Sequence, residues 1–333
     1  MYRLKLIGII SAFLLISCKN QEVKNNQDFE KVVISHTDPS NLYVNDGDST
    51  ELFYLKLIPK SNPIGAVVIL PSGGETIEDV LKQITLPKLA VKNNILTIIP
   101  SINWGTETRE VEIKILDKIF NEVAKEHQIP KENFVLGGLS NGGIISLTYA
   151  ETSTKVKNGT SVIPKGVFGI DVPLDKAHLY EYSQREIKRN FSAAGMGEAN
   201  WIINNYNQIY GGSPTEFPNR YVEGSIYSNG AENGGNAKYL KDIAIRMYTD
   251  LDVKWLINER RRDLYDWNGT DIVAMINDLK IMGNDNAEVI ISMEKGFRLD
   301  GTKNPHSWSI MDSADLMEWI LGLFKEELQE SIQ

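Results

Sequence analysis

Cysteine is nearly absent. The chain of 333 residues holds one, Cys18, which excludes an intrachain disulfide and a cysteine-based metal site. The fold has to rest on a buried core instead, and the length is ample for that. Histidine is almost as scarce, with His36, His127, His178 and His306 the only four, and no His/Asp/Glu cluster has the spacing of a metal site. An excess of basic residues is missing as well. Lys and Arg number 35 against 44 Asp and Glu, a formal net charge of −9. An acidic chain repels a phosphate backbone, so nucleic acid is not an expected partner. The run Arg260-Arg261-Arg262 is the local exception; Glu259 and Asp263 flank it, and it reads as a solvated helix face. What remains is ordinary globular composition, 42% hydrophobic and 24% charged, with no sign of disorder or coiled coil.

The most continuous apolar stretch lies at the start. Arg3 and Lys5 precede the apolar run Leu6 to Ile16, which is too short to span a bilayer comfortably and has the shape of a signal segment. It ends in Leu15-Ile16-Ser17-Cys18. This resembles the bacterial lipobox, which implies a signal peptide over residues 1–17, a lipid on Cys18, membrane attachment through that lipid, and a place in the cell envelope on a side the sequence does not name. Residues 18–30 open with the polar stretch Lys19 to Gln27 and read as a flexible tether.

From residue 31 to 328 a single domain is expected. Lys31–Ser35, Glu51–Pro59, Ala66–Leu70, Ile95–Pro100, Phe134–Gly138, Gly166–Ile170, Ile243–Tyr248 and Glu288–Met293 are short, largely apolar, β-branched runs. Several are apolar throughout, as strands buried on both faces of a parallel sheet must be. Amphipathic stretches separate them. In Arg109–Glu126, Val111, Ile115, Ile119 and Val123 repeat at helical spacing. This alternation predicts an α/β domain with a doubly wound, mostly parallel sheet. Residues 175–240 break the rhythm with a helical, aromatic segment followed by a Gly/Ser/Asn-rich one, which predicts a helical lid inserted between two core strands.

The sharpest chemical signal is Gly138-Leu139-Ser140-Asn141-Gly142, directly after the fifth strand and before the apolar helical stretch Ile144–Ala150. A serine on a tight strand-to-helix turn needs positive φ and small neighbours. Such a turn lifts Oγ above the sheet and aims a helix N-terminus at the site. The pattern alone recurs by chance; its place between a strand and a helix makes it specific.

With this motif the chain from about residue 31 to 325, lid aside, resembles the α/β-hydrolase superfamily. The resemblance implies a serine hydrolase with Ser140 as nucleophile. The family order of nucleophile, acid and base implies His306 as base, in the loop Asn304-Pro305-His306-Ser307-Trp308 after the last strand. The other three histidines fall outside that order. The acid is expected after the seventh strand at Asp252, with Asp250 and Asp171 as alternatives. The oxyanion hole is expected from the N–H of Asn141 and from Gly74 or Glu75, in the loop Pro71-Ser72-Gly73-Gly74-Glu75. That loop departs from the family's His-Gly-Gly pattern. The implied reaction is acyl transfer from a carboxylic ester, on a small molecule or a glycan, through an acyl-enzyme, with no metal or organic cofactor needed. A peptidase of the same fold and a catalytically idle binding lipoprotein are the alternatives. Trp104, Tyr180 and Trp201 are candidates to line the pocket.

Overall fold

The structure, a computed structural model, describes residues 29–35, 42, 51–104, 110–157 and 159–330. The expected signal peptide, Cys18, most of the tether and His36 lie outside the described residues.

Eight strands form one sheet: β1 (Glu30–Ile34), β2 (Leu52–Leu57), β3 (Gly65–Leu70), β4 (Ile95–Pro100), β5 (Phe134–Leu139), β6 (Gly166–Ile170), β7 (Ala244–Leu251) and β8 (Ala287–Met293). Their spatial order is β1-β2-β4-β3-β5-β6-β7-β8. The first two pairings, β1 with β2 and β2 with β4, are antiparallel, and the rest are parallel. β3, β4, β5 and β6 are buried along their whole length, as parallel strands covered by helices on both faces should be. The expected doubly wound, mostly parallel α/β architecture is therefore present, and all eight strands begin within one residue of where the sequence placed them.

Between β3 and β4 lie α1 (Ile77–Gln83) and α2 (Leu86–Lys92), and between β4 and β5 lies α3 (Glu110–His127). α3 buries Ile115, Ile119 and Val123, while Lys114, Lys118 and Glu122 stay exposed. α4 (Asn141–Lys155) follows β5. After β6 the chain leaves the sheet for α5 (Lys176–Arg189), α6 (Ala193–Tyr210), α7 (Pro218–Gly224) and tight turns over Glu232–Leu240, then returns as β7. These helices build a small core of their own from Leu179, Tyr180, Tyr182, Ile202, Tyr206, Tyr210 and Tyr221. α8 (Val253–Trp255) runs into a wide helical turn, Leu256–Arg260, then α9 (Asn268–Ile281) leads to β8, and α10 (Ser313–Glu330) closes the domain. Two clusters of buried aliphatic and aromatic side chains cover the sheet, the larger around β3, β4 and α3, the smaller around β7, α9 and the inner side of α4.

Candidate active site

Ser140 stands at the junction of β5 and α4 with φ 54° and ψ −115°, a backbone conformation that costs energy for any residue with a side chain. The strain is held in place by packing. A Cβ on Gly142 would come within 2.1 Å of the Leu70 carbonyl oxygen, and one on Gly138 within 2.3 Å of the same atom. Only glycine on both sides of the turn lets β5 and α4 pass that close to the end of β3. The Ser140 N–H donates to the Ile170 carbonyl at 2.9 Å, which ties the turn to the end of β6. The side chain is left at the mouth of a cavity that also holds Asp171 and His306.

Asp171 follows β6 directly. Its φ of 43° is the second strained value at the site. Its N–H donates to the Tyr248 carbonyl at 2.8 Å, and its side chain is buried, 5% exposed. One carboxylate oxygen accepts from Thr249 Oγ1 at 3.3 Å. The other accepts from Asn268 Nδ2 at 3.2 Å and from His306 Nδ1 at 2.6 Å. Because a carboxylate accepts, the imidazole proton sits on Nδ1 and Nε2 is left with its lone pair. Burial pulls the His306 pKa down, but the hydrogen bond and charge of Asp171 outweigh it. Glu198 adds to the rise and Arg298 opposes it; the net position is above the ordinary 6.5. The His306 N–H donates to Asn304 Oδ1 at 2.9 Å, fixing the loop that carries the ring.

The carboxylate expected at Asp252 is a correction. Asp252 is committed elsewhere: it caps α8 by accepting from the Trp255 N–H at 2.9 Å and pairs with Lys303 Nζ at 2.7 Å. Burial pushes its pKa up, yet Lys303 and the Trp255 N–H hold it below the usual carboxylate range. Asp250 is not the partner either. Fully buried, it accepts from Ser292 Oγ at 2.5 Å and from the N–H groups of Lys295 and Gly296 at 3.1 Å, anchoring the turn after β8. Asp171, the remaining alternative, is the residue the structure places against His306.

The oxyanion loop is corrected too. The Gly74 N–H donates to the Asn103 carbonyl at 2.7 Å and the Glu75 N–H to the Ser72 carbonyl at 3.0 Å, so neither expected donor is available. The Gly73 N–H donates to no acceptor among the described residues. The nearest atom to a Cβ on Gly73 would be the Asn141 Cβ, at 3.8 Å, so Gly73 faces the first residue of α4, whose N–H has no partner one turn back. Glu75 has a structural post instead. Its carboxylate accepts from the Ser72 N–H at 3.0 Å, Gln83 Nε2 at 2.7 Å and Trp308 Nε1 at 2.9 Å. It thus straps the loop after β3 to the loop bearing His306, and burial pushes its own carboxyl pKa up.

The Arg260–Arg262 run is not a solvated face throughout. Arg260 and Arg262 line the cavity with Ser140, as do Leu179, Tyr182 and Trp201 from α5 and α6; only Arg261 is exposed, over the Phe191 ring. Trp104 packs on Trp201 at 6.0 Å between ring centroids. Tyr180 lies in the core of the inserted helices, donating to Asn207 Oδ1 at 3.1 Å. His178 is buried against Asp271 at 2.8 Å, and His127 ends α3. Among the described residues no group of three or more His, Cys, Asp or Glu side chains is placed to hold a metal ion.

No protein-family model matches the sequence. No curated protein matches it either. Solved structures do. Dipeptidyl peptidase 4 of Porphyromonas gingivalis superimposes with a TM-score of 0.51 at 10% identity, over 89% of this chain and 35% of the other. An esterase from the fungus Rhizomucor miehei does so with a TM-score of 0.50 at 13% identity, over 90% of this chain and 85% of the other. The chain thus spans about a third of the peptidase chain it matches. At such identities the likeness is one of fold, and that fold is the α/β-hydrolase fold.

Proposed function

We propose that the chain is a serine hydrolase that cleaves a carboxylic ester through Ser140, His306 and Asp171. The observation that carries this reading is the 2.6 Å bond from His306 Nδ1 to Asp171, in the cavity into which a strained turn lifts Ser140.

His306 Nε2 takes the Ser140 proton as Oγ attacks the acyl carbonyl, and Asp171 stabilises the imidazolium that results. The carbonyl oxygen gains the negative charge and is met by the N–H groups of Asn141 and Gly73 at the N-terminus of α4. The imidazolium returns its proton to the leaving alkoxide, the C–O bond breaks, and an acyl-Ser140 ester remains. Water, deprotonated by the same Nε2, then releases the acid and restores Ser140. Helices α5 and α6, which supply one wall of the cavity, act as the lid. The protein works at a membrane surface, held by a lipid on Cys18 in the cell envelope, with residues 18–30 as its tether.

A fluorophosphonate probe tests the first step, because it labels only an activated serine. The folded wild type should be labelled and Ser140→Ala should not; equal labelling of both removes the proposal. A panel of acyl and glycan esters beside a peptide p-nitroanilide tests the bond. Cleavage of the anilide without the esters would make the protein a peptidase.

A further inference from the structure

Three arginines reach the Ser140 cavity, Arg260, Arg262 and Arg298, and their partners differ. Arg262 Nε donates to Glu186 Oε2 at 2.7 Å. Behind it Arg185 and Arg189 hold the buried Asp266. Arg260 and Arg298 form no ion pair among the described residues. Arg260 is fixed without being neutralised: Nη1 donates to Ser192 Oγ at 2.7 Å, and its guanidinium lies 5.0 Å from the Trp255 ring centroid. Burial, then the charge of Arg262, pulls its pKa below the ordinary value; the surroundings are short of negative charge. Arg298 stands eight residues before His306. It lines both this cavity and the adjoining cleft beside Ser72, Gly73 and Gly74.

The acidic groups facing the pair are few. Asp171 is engaged by His306, and Asp266 by Arg185 and Arg189. On the cleft side Glu75 is bound to Trp308, Asp79 to Lys82, and Asp300 to Thr302. Glu198, exposed on α6, has a field that reaches Arg260 as well as His306; Asp300, held only by the neutral Thr302, is in turn lowered by Arg298. Arg260 and Arg298 thus each face a carboxylate at a distance without an ion pair, and their guanidinium N–H groups stay open to the cavity beside the reacting serine. Arg260 is partly buried without an ion pair, an arrangement that is costly to keep. A preorganised guanidinium is also the side chain best suited to a planar oxyanion.

We infer that Arg260 and Arg298 bind a carboxylate carried by the substrate, so that the ester cleaved at Ser140 bears an acid group and rests its body on Trp201 and Trp255. This inference rests on the hydrolase reading above, so its test separates binding from turnover.

Binding is read by calorimetry in Ser140→Ala protein, using 4-hydroxybenzoate and its neutral twin 4-hydroxybenzamide as probes. The carboxylate should bind at least about tenfold tighter, the scale of one hydrogen bond to a charged group, and lose that margin as salt is raised. Arg260→Gln with Arg298→Gln should erase the margin, and Glu198→Gln should widen it. Arg298→Gln alone, on an exposed loop, keeps the test open if the double variant fails to fold. Turnover by the wild type is read with two pairs: 4-acetoxybenzoate against 4-acetoxybenzamide, and mono-4-nitrophenyl succinate against 4-nitrophenyl butyrate. In one pair kcat/KM should favour the anion. Equal binding of acid and amide, or a margin that survives removal of the arginines, overturns the inference even if esters are cleaved. Selective binding without cleavage of any ester leaves the anion site standing and removes the hydrolase reading.

Discussion

The imidazole of His306 is pulled two ways. Burial favours its neutral form, and the Asp171 carboxylate at 2.6 Å favours the cation more strongly. Only the neutral ring can accept the Ser140 proton. With the pKa raised above 6.5, kcat/KM should therefore fall as pH drops through a midpoint above that value. In Asp171→Asn the raising contribution goes and burial remains, so the midpoint should move down. The rate itself should drop by about ten-thousandfold at neutral pH, the scale seen when a triad carboxylate is made an amide. Asp252→Ala provides the contrast. It removes the α8 cap and the Lys303 pair and should cost about 1 kcal/mol of stability, while the acid limb of the pH profile stays where it is. Loss of that limb in Asp252→Ala but not in Asp171→Asn would reverse the two assignments. The places of Ser140 and His306 in the fold were legible in the sequence because one lies in a motif at a strand-to-helix turn and the other stands alone in its position after the last strand. The carboxylate was not. Asp171, Asp250 and Asp252 all follow strand ends, and what separates them is which neighbours they meet: Lys303 and a helix N-terminus for Asp252, two loop N–H groups for Asp250, the ring of His306 for Asp171. Apart from the helix end three residues beyond Asp252, those partners come from residues more than forty positions away, beyond the reach of local pattern.

Elements were easier to read than partners. β3 to β6 are buried on both faces and so appear in the sequence as short, largely apolar runs. α3 shows its buried stripe at helical spacing. The Arg260–Arg262 run misled for an equally physical reason: acidic neighbours suggested a solvated helix, whereas the wide turn over Leu256–Arg260 and a left-handed Arg261 send alternate arginines inward. The oxyanion loop misled because a turn uses some of its own N–H groups. The Glu75 N–H closes it on Ser72, the Gly74 N–H ties it to the Asn103 carbonyl, and Gly73 is left over. The junction between β5 and α4 gives the element-scale prediction. A methyl group on Gly142 would collide with the backbone oxygen of Leu70, 2.1 Å from the ideal Cβ, and backbone cannot rotate away as a side chain can. Gly142→Ala should lower stability by about 2 kcal/mol or more, read as a drop in the urea midpoint. It should also lower fluorophosphonate labelling in the fraction that still folds. An alanine variant with an unchanged midpoint would mean that the turn is looser than its packing implies.

At the scale of the whole molecule, position and stability follow from different parts of the chain. If Cys18 carries the lipid, Cys18→Ser should shift the protein from the membrane pellet to the soluble fraction with its activity intact; retention in the pellet would place the anchor elsewhere. Stability should depend on pH with a sign set by buried acids and histidines. His178 is pulled down by burial but raised overall by the hydrogen bond and charge of Asp271. Asp271 itself is raised by burial, and so is Glu75. Glu151, 7% exposed on α4, is pushed well above the usual carboxyl value by burial. His306 is raised as well. Every one of these groups holds its proton to higher pH in the folded state than in the unfolded chain. Over that interval the folded state binds more protons, so stability falls as pH rises. The carboxyls with lowered values, Asp79, Glu126, Asp252 and Asp300 among them, act with the opposite sign, but only below their ordinary values near 4. The raised lysines titrate above 10. Between about pH 5 and pH 8.5 the raised groups therefore set the slope. The urea midpoint should be higher near the acid end of that window than near the alkaline end, and Glu151→Gln and His178→Gln should each flatten the slope. A midpoint flat across the window would show that these buried groups give up their protons as readily folded as unfolded, and one that climbs with pH that they give them up more readily when folded.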